Sequence, residues 1–244
     1  ADMVVSSISA AEAISDAAKA ARVLRQEGAL VVRQACPPAV ADTCRQHVDA
    51  ALQFALESSG EKSSAIEYIP WMERTHEHAE ANHRWFSNVD SGGFRRDLRL
   101  LMAPAVLAVL SHVLGCIGGA LCESLGDPEL CELAALVSDA GARAQTLHPD
   151  TRDGDVDGNG GSEGHSLLFT CFVALQDVTE DMGPTWVAPR THCGAAHEAL
   201  RAEDPTRFGA EWGVAAPVVL NKGDALVMDS RVIHGGGGND AATG

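Results

Sequence analysis

Gln145-Thr146-Leu147-His148-Pro149-Asp150 closes an apolar stretch on a histidine and a carboxylate two residues apart, and His234 answers it after another apolar stretch late in the chain. In an extended strand, side chains at i and i+2 leave from one side, so His148 and Asp150 can reach one metal ion together. Two imidazoles and one carboxylate on one face of a divalent ion leave the opposite positions open, which is the ligand set of non-haem Fe(II) sites. A carboxylate at the end of an apolar strand also needs a partner of its own. A His-x-Asp pair alone arises often by chance, and its meaning rests on the segments around it.

Working outward, Leu130 to Leu136 and Ala142 to Leu147 read as strands leading into the motif. Thr151 to His165 is a loop rich in glycine and aspartate, with Val156 its one apolar residue, and is expected to be a mobile acidic lid. Within it, Asp153 to Asn159 imitates the start of a calcium-binding loop. The required twelfth position is Gly164, with Glu163 one residue early, which argues against calcium. Leu167 to Leu175, Thr185 to Val187, Val218 to Leu220 and Ala225 to Met228 read as further strands, and the run after His234 as a glycine-rich loop.

Upstream, Ser9 to Glu27 reads as one helix with a capping box from Ser9 and Glu12 and a stop at Gly28. Ala29 to Val32 is a short strand, and Cys36-Pro37-Pro38 opens a helix to about Glu57. A polar loop and a weakly patterned stretch follow, in which His76, His78 and His83 read as solvated loop histidines; Phe94 to Ser124 reads as helical. Short strands between Gly, Pro and Asp turns indicate a jelly roll rather than a parallel α/β sheet. The expected class is mainly β with an α layer: a double-stranded β-helix (jelly roll, cupin-like) supported by N-terminal helices. One domain is expected over 1–244, mainly helical over 1–129 and jelly roll over 130–244.

A net charge of −16 and a pI near 4.9 argue against nucleic acid or anionic membrane as partners. Seven cysteines, with no Cys-x-x-Cys, read as free thiols in a reducing compartment, so the expected location is intracellular and soluble, in cytoplasm or an organelle interior. Ala1 in place of Met fits a processed or trimmed N-terminus and a removed targeting peptide. Leu100 to Leu121 is an uncharged run long enough to cross a bilayer. Its Pro104, Ser111 and His112 favour instead a buried helix, broken near Pro104 or Gly115, and no transmembrane segment is expected.

The ligand strand and four later segments resemble the phytanoyl-CoA dioxygenase family of Fe(II)/2-oxoglutarate enzymes. They are Gln145 to Asp150, Phe172 to Pro184, Val187 to His192, Lys222 to Asp229, and His234 to Asn239, standing in the family's order; Arg190 stands where the family usually has glycine. The resemblance implies Fe(II) held by His148, Asp150 and His234, with 2-oxoglutarate and dioxygen taking the open positions. It also implies hydroxylation of a small or lipid-like molecule, with succinate and carbon dioxide released. Asp150 argues against a halogenating variant, in which a small residue makes room for halide.

By the same resemblance, His192 lies near the co-substrate or simply ties down its turn. Gln145, three residues before His148 and so facing the opposite side, is a tentative second candidate beside the co-substrate. Trp186 reads as core. The family's arginine for the far carboxylate of 2-oxoglutarate follows the distal histidine, and neither Arg231 nor Arg207 suits the role, so that arginine is expected beyond Gly244, on a final strand this chain lacks. The other reading of the sequence is a degenerate member serving as a structural or binding subunit of a larger assembly.

Overall fold

Ser9 forms the expected capping box: its hydroxyl accepts from the Glu12 N–H, and the Glu12 carboxylate accepts from the Ser9 N–H. The computed structural model describes residues 4–59, 86–88, 93–151, 167–202 and 213–241. The helix begun at Ser9 is two helices, α1 (Ala10–Ser15) and α2 (Ala17–Glu27). Asp16 separates them, because its side chain accepts from the Lys19 N–H and caps α2 while its own backbone leaves the helical region. Gly28, at φ +74°, ends α2 and sends its N–H to the Leu24 carbonyl.

The strands, in chain order, are β1 (Ser7–Ser9), β2 (Ala29–Arg33), β3 (Phe86–Asn88), β4 (Arg95–Arg99), β5 (Ala134–Ser138), β6 (Phe169–Val173), β7 (Thr185–Ala188), β8 (Ala216–Pro217), β9 (Ala225–Asp229) and β10 (Ile233–Gly236). Three further helices are α3 (Pro38–Ser59), α4 (Pro104–Leu125) and α5 (Gly194–Arg201). One sheet runs β1-β2-β9-β6, antiparallel except that β1 lies parallel to β2; a second runs β10-β7-β8, and a third β3-β4-β5.

Strand periodicity sorts the apolar residues into layers. Leu30, Val32, Ala225 and Val227 face the helices, whereas Ala29, Val31, Leu226 and Met228 meet Val187, Val218, Leu220 and Val232 between the first two sheets. Each large side chain so buried contributes about 1.5–3 kcal/mol. On the outer side of the second sheet, Ile233 and Ala188 pack under Ala196 and Ala199 of α5. The fold is the expected jelly roll with a helical layer.

Several local expectations need correction. The run from Phe94 is not helical at its start: Arg95–Arg99 is β4, and α4 begins at Pro104, with Ala103 extended before it. Proline fits the first helical turn but disfavours helical geometry in the preceding residue. Gly115 makes no break. α4 is long and apolar enough to cross a membrane, yet Val106, Val109, Val113, Cys116, Ile117 and Ala120 bury one face of it in the helical core. Ala142 to Leu147 forms no regular strand, although Gln145 donates its N–H to Gly236 and Asn239 donates to Ala142. Gly235 and Gly236 belong to β10 rather than to a loop. Helix α5 was not anticipated. His76, His78, His83 and the acidic segment after Thr151, including the calcium-like run, lie outside the described residues.

Candidate metal centre

His148 and His234 face each other across a two-way backbone bridge, each N–H donating to the other's carbonyl at 2.8 and 2.9 Å. β10 therefore has β7 on one side and the irregular 142–148 segment on the other. Asp150, one bend beyond His148, is fixed by its N–H to the Ser230 carbonyl at the end of β9, and Thr151 donates to the same oxygen. The expected trio thus converges, with one ligand atom from each residue lying within 4.8 Å of the others.

The hydrogen bonds choose which ring atoms are offered. His148 Nδ1 stands 2.8 Å from the Thr146 carbonyl, and His234 Nδ1 stands 2.8 Å from the Val232 carbonyl. A carbonyl only accepts, so each Nδ1 donates, and in the neutral ring the lone pair offered to a metal is that of Nε2. Both Nε2 atoms then face Asp150, at 3.6 Å from its two carboxylate oxygens. That separation exceeds a hydrogen bond, and it suits atoms gathered around one cation about 2.1 Å from each. Burial lowers the His234 pKa, against the opposing pull of Asp150, and so favours the neutral ring that a metal requires. The rings stand tilted at 45°, with centroids 4.9 Å apart.

The other candidates are each held by contacts of their own. His192 Nε2 meets the Arg25 carbonyl at 3.1 Å, and its ring packs on Gly28, where an added Cβ would come within 2.6 Å of Nδ1. These contacts tie the turn to the end of α2, the second of the two roles expected of His192. Gln145 Oε1 accepts from the Gly236 N–H at 2.7 Å and stands on the side of β10 that carries His234. The opposite facing expected of it assumed a regular strand, which this segment is not. Trp186 is 39% exposed on β7 rather than core. Arg95, which was not singled out in the sequence, is fully buried beside Gly236.

The family model for phytanoyl-CoA dioxygenase (PhyH) matches residues 24–243. The chain belongs to this family. Among curated relatives, the multifunctional dioxygenase ausE of Penicillium brasilianum is 31% identical over 103 residues, which are 42% of this chain and 34% of that protein. Dioxygenase trt7 of Aspergillus terreus is 24% identical over 221 residues, 91% of this chain and 68% of that one. The match thus spans about a third of ausE and two thirds of trt7. Among solved structures, AviO1 from Streptomyces viridochromogenes shares the fold at a TM-score of 0.54 and 17% identity, covering 92% of this chain and 89% of that one. HygX from Streptomyces hygroscopicus, solved with nickel and 2-oxoglutarate bound, does so at 0.54 and 14%, covering 91% and 80%.

Proposed function

We propose that this chain is the metal-binding jelly roll of an Fe(II)/2-oxoglutarate-dependent dioxygenase that hydroxylates a small or lipid-like organic molecule, releasing succinate and carbon dioxide. The observation that carries the reading is the convergence of two Nε2 atoms and one carboxylate on a common point, with both Nδ1 atoms held by carbonyls. The dioxygenase names of the relatives, and a fold shared with a protein crystallised with 2-oxoglutarate, support it.

Bound Fe(II) would supply dioxygen activation and oxidation of a C–H bond. The residues of the chain do the rest. The Thr146 and Val232 carbonyls orient the imidazoles, as the outer partners of metal-binding histidines commonly do. Asp150 supplies the negative charge, and its backbone bond to Ser230 keeps the carboxylate aimed inward. Val187, the strand partner of His234, belongs to the apolar packing between the sheets that keeps water from that side of the site. The presence of Asp150 leaves three protein ligands and no vacancy for halide. Small-molecule substrate and dioxygen are the partners this chemistry needs. All seven cysteines are free, which agrees with a reducing compartment.

The test is an anaerobic Fe(II) titration followed by 2-oxoglutarate-dependent succinate release, on the wild type and on Asp150→Ala. The wild type is expected to bind one Fe(II) and form succinate, and Asp150→Ala to lose both with an unchanged circular dichroism spectrum. Absence of Fe(II) binding in the wild type overturns the reading. Metal binding without any use of 2-oxoglutarate would assign the chain to the binding-subunit alternative.

A further inference from the structure

Pro149 stands between two of the metal ligands and has no N–H, so the backbone bridge that fixes His148 cannot continue through it. Asp150 lies on a bend beyond that bridge. Its carboxylate oxygens face the two Nε2 atoms at 3.6 Å, beyond hydrogen-bond reach, so among the described residues the grip on Asp150 comes through the backbone. That grip is Ser230. Its carbonyl accepts from the Asp150 N–H at 2.8 Å and from the Thr151 N–H at 3.0 Å, and the Thr151 and Ser230 hydroxyls are hydrogen-bonded to each other.

Ser230 is itself fixed. It is 1% exposed, and its N–H donates to the Leu168 carbonyl at 2.9 Å. The turn around it, from β9 to β10, is braced from several sides. Arg231 donates through its backbone and guanidinium to the buried Asp229 carboxylate. The Arg231 carbonyl meets Nε2 of the buried His197 on α5 at 2.8 Å, and the Ile233 N–H donates to the Thr191 hydroxyl at 2.8 Å. His234 follows Ser230 by four residues. One rigid turn therefore carries one metal ligand in its own chain and grips another through Ser230. Two N–H bonds to a single oxygen leave residues 150 and 151 free to pivot about that oxygen. The hydroxyl pair adds a second point of attachment and removes the pivot.

We propose that the Thr151–Ser230 hydroxyl pair is a positioning device for Asp150, setting the aim of its carboxylate and with it the affinity of the site for a divalent metal. The proposal rests on the metal-site part of the dioxygenase reading above. A ligand that can pivot loses conformational entropy when a metal immobilises it, whereas one already aimed does not. Outer partners that hold a metal ligand typically account for about 10–100-fold in affinity.

The test is a calorimetric titration with Mn(II) of the wild type, Thr151→Val, Thr151→Ser, Ser230→Ala and the double variant Thr151→Val/Ser230→Ala. Thr151→Val and Ser230→Ala are each expected to weaken Mn(II) about 10–100-fold while still binding one ion per chain. Thr151→Ser, which keeps the hydroxyl, should stay within about threefold of the wild type. The double variant should be no weaker than the weaker single variant, because both remove the same bond. If Ser230→Ala does not fold, the contrast between Thr151→Val and Thr151→Ser decides. Unchanged affinity in Thr151→Val, or equal weakening in Thr151→Val and Thr151→Ser, overturns the positioning role and leaves the dioxygenase reading standing. So does a fall in the number of ions bound at unchanged affinity, which reports lost folded protein rather than a misaimed ligand. So do losses that add in the double variant. A wild type that binds no Mn(II) overturns both readings.

Discussion

Single residues hold this site through contacts that differ in how visible they are in sequence. The trio was legible because the geometry that unites His148 and Asp150 is local, and the backbone bridge to His234 tolerates an irregular segment before it. The facing of Gln145 was not, since counting alternate residues works only where a strand is regular. Arg95 was hidden among neighbouring arginines, and nothing local marks which of them folds inward. Arg190, where glycine is usual in the family, has φ +67°, the left-handed region that glycine occupies without cost. Arg190→Gly should therefore raise the urea unfolding free energy by about 1 kcal/mol, despite loss of the exposed ion pair to Glu27. Gly28→Ala should do the reverse. At φ +74° its Cβ would stand 2.4 Å from Val232 Cγ2, so a loss of about 2–3 kcal/mol is expected in the same measurement.

Among the elements, those defined by their own ends were read well and those defined by their neighbours were not. The capping box, the Gly28 stop and the α3 start are local chemistry, and the structure has all three. β4 reads as helix in the sequence because four of its five residues are charged and no alternation marks a strand; pairing with β5 is what makes it one. The sequence of β10 reads as a loop because two of its four residues are glycine; its bonds to β7 and to the 142–148 segment outweigh their poor strand propensity. The break between α1 and α2 offers a check: Asp16→Ala should cost about 1 kcal/mol by removing the cap on Lys19, read as a lower midpoint of thermal unfolding. A gain in helix content at 222 nm without that loss would show that the break is not held by the cap.

At the scale of the molecule, burial divides the cysteines. Cys122 and Cys131 are exposed, Cys36, Cys44 and Cys116 are buried, and Cys171 packs against the helical core with its thiol pushed up to about 12 by burial. A pKa above the ordinary range keeps Cys171 a neutral thiol at pH 8.5, where exposed thiols are partly ionised and reactive. Iodoacetamide at that pH should label Cys122 and Cys131 within minutes and reach Cys171 only after denaturant is added; rapid labelling of Cys171 would contradict the packing. Divalent metal at a hundred times its Kd should stabilise the folded chain by about 2.7 kcal/mol, or roughly 5–10 °C in Tm, with reversal by a chelator. The backbone bridge between His148 and His234 also sets an order in time. The two ligands lie far apart along the chain, and nothing aligns them until β10 has settled between β7 and the segment before Pro149. Joining such distant pieces is the slow part of building a β-rich domain. A half-made chain leaving the ribosome therefore holds no iron, and metal uptake is a signal that synthesis has passed His234 and that the sheet has closed.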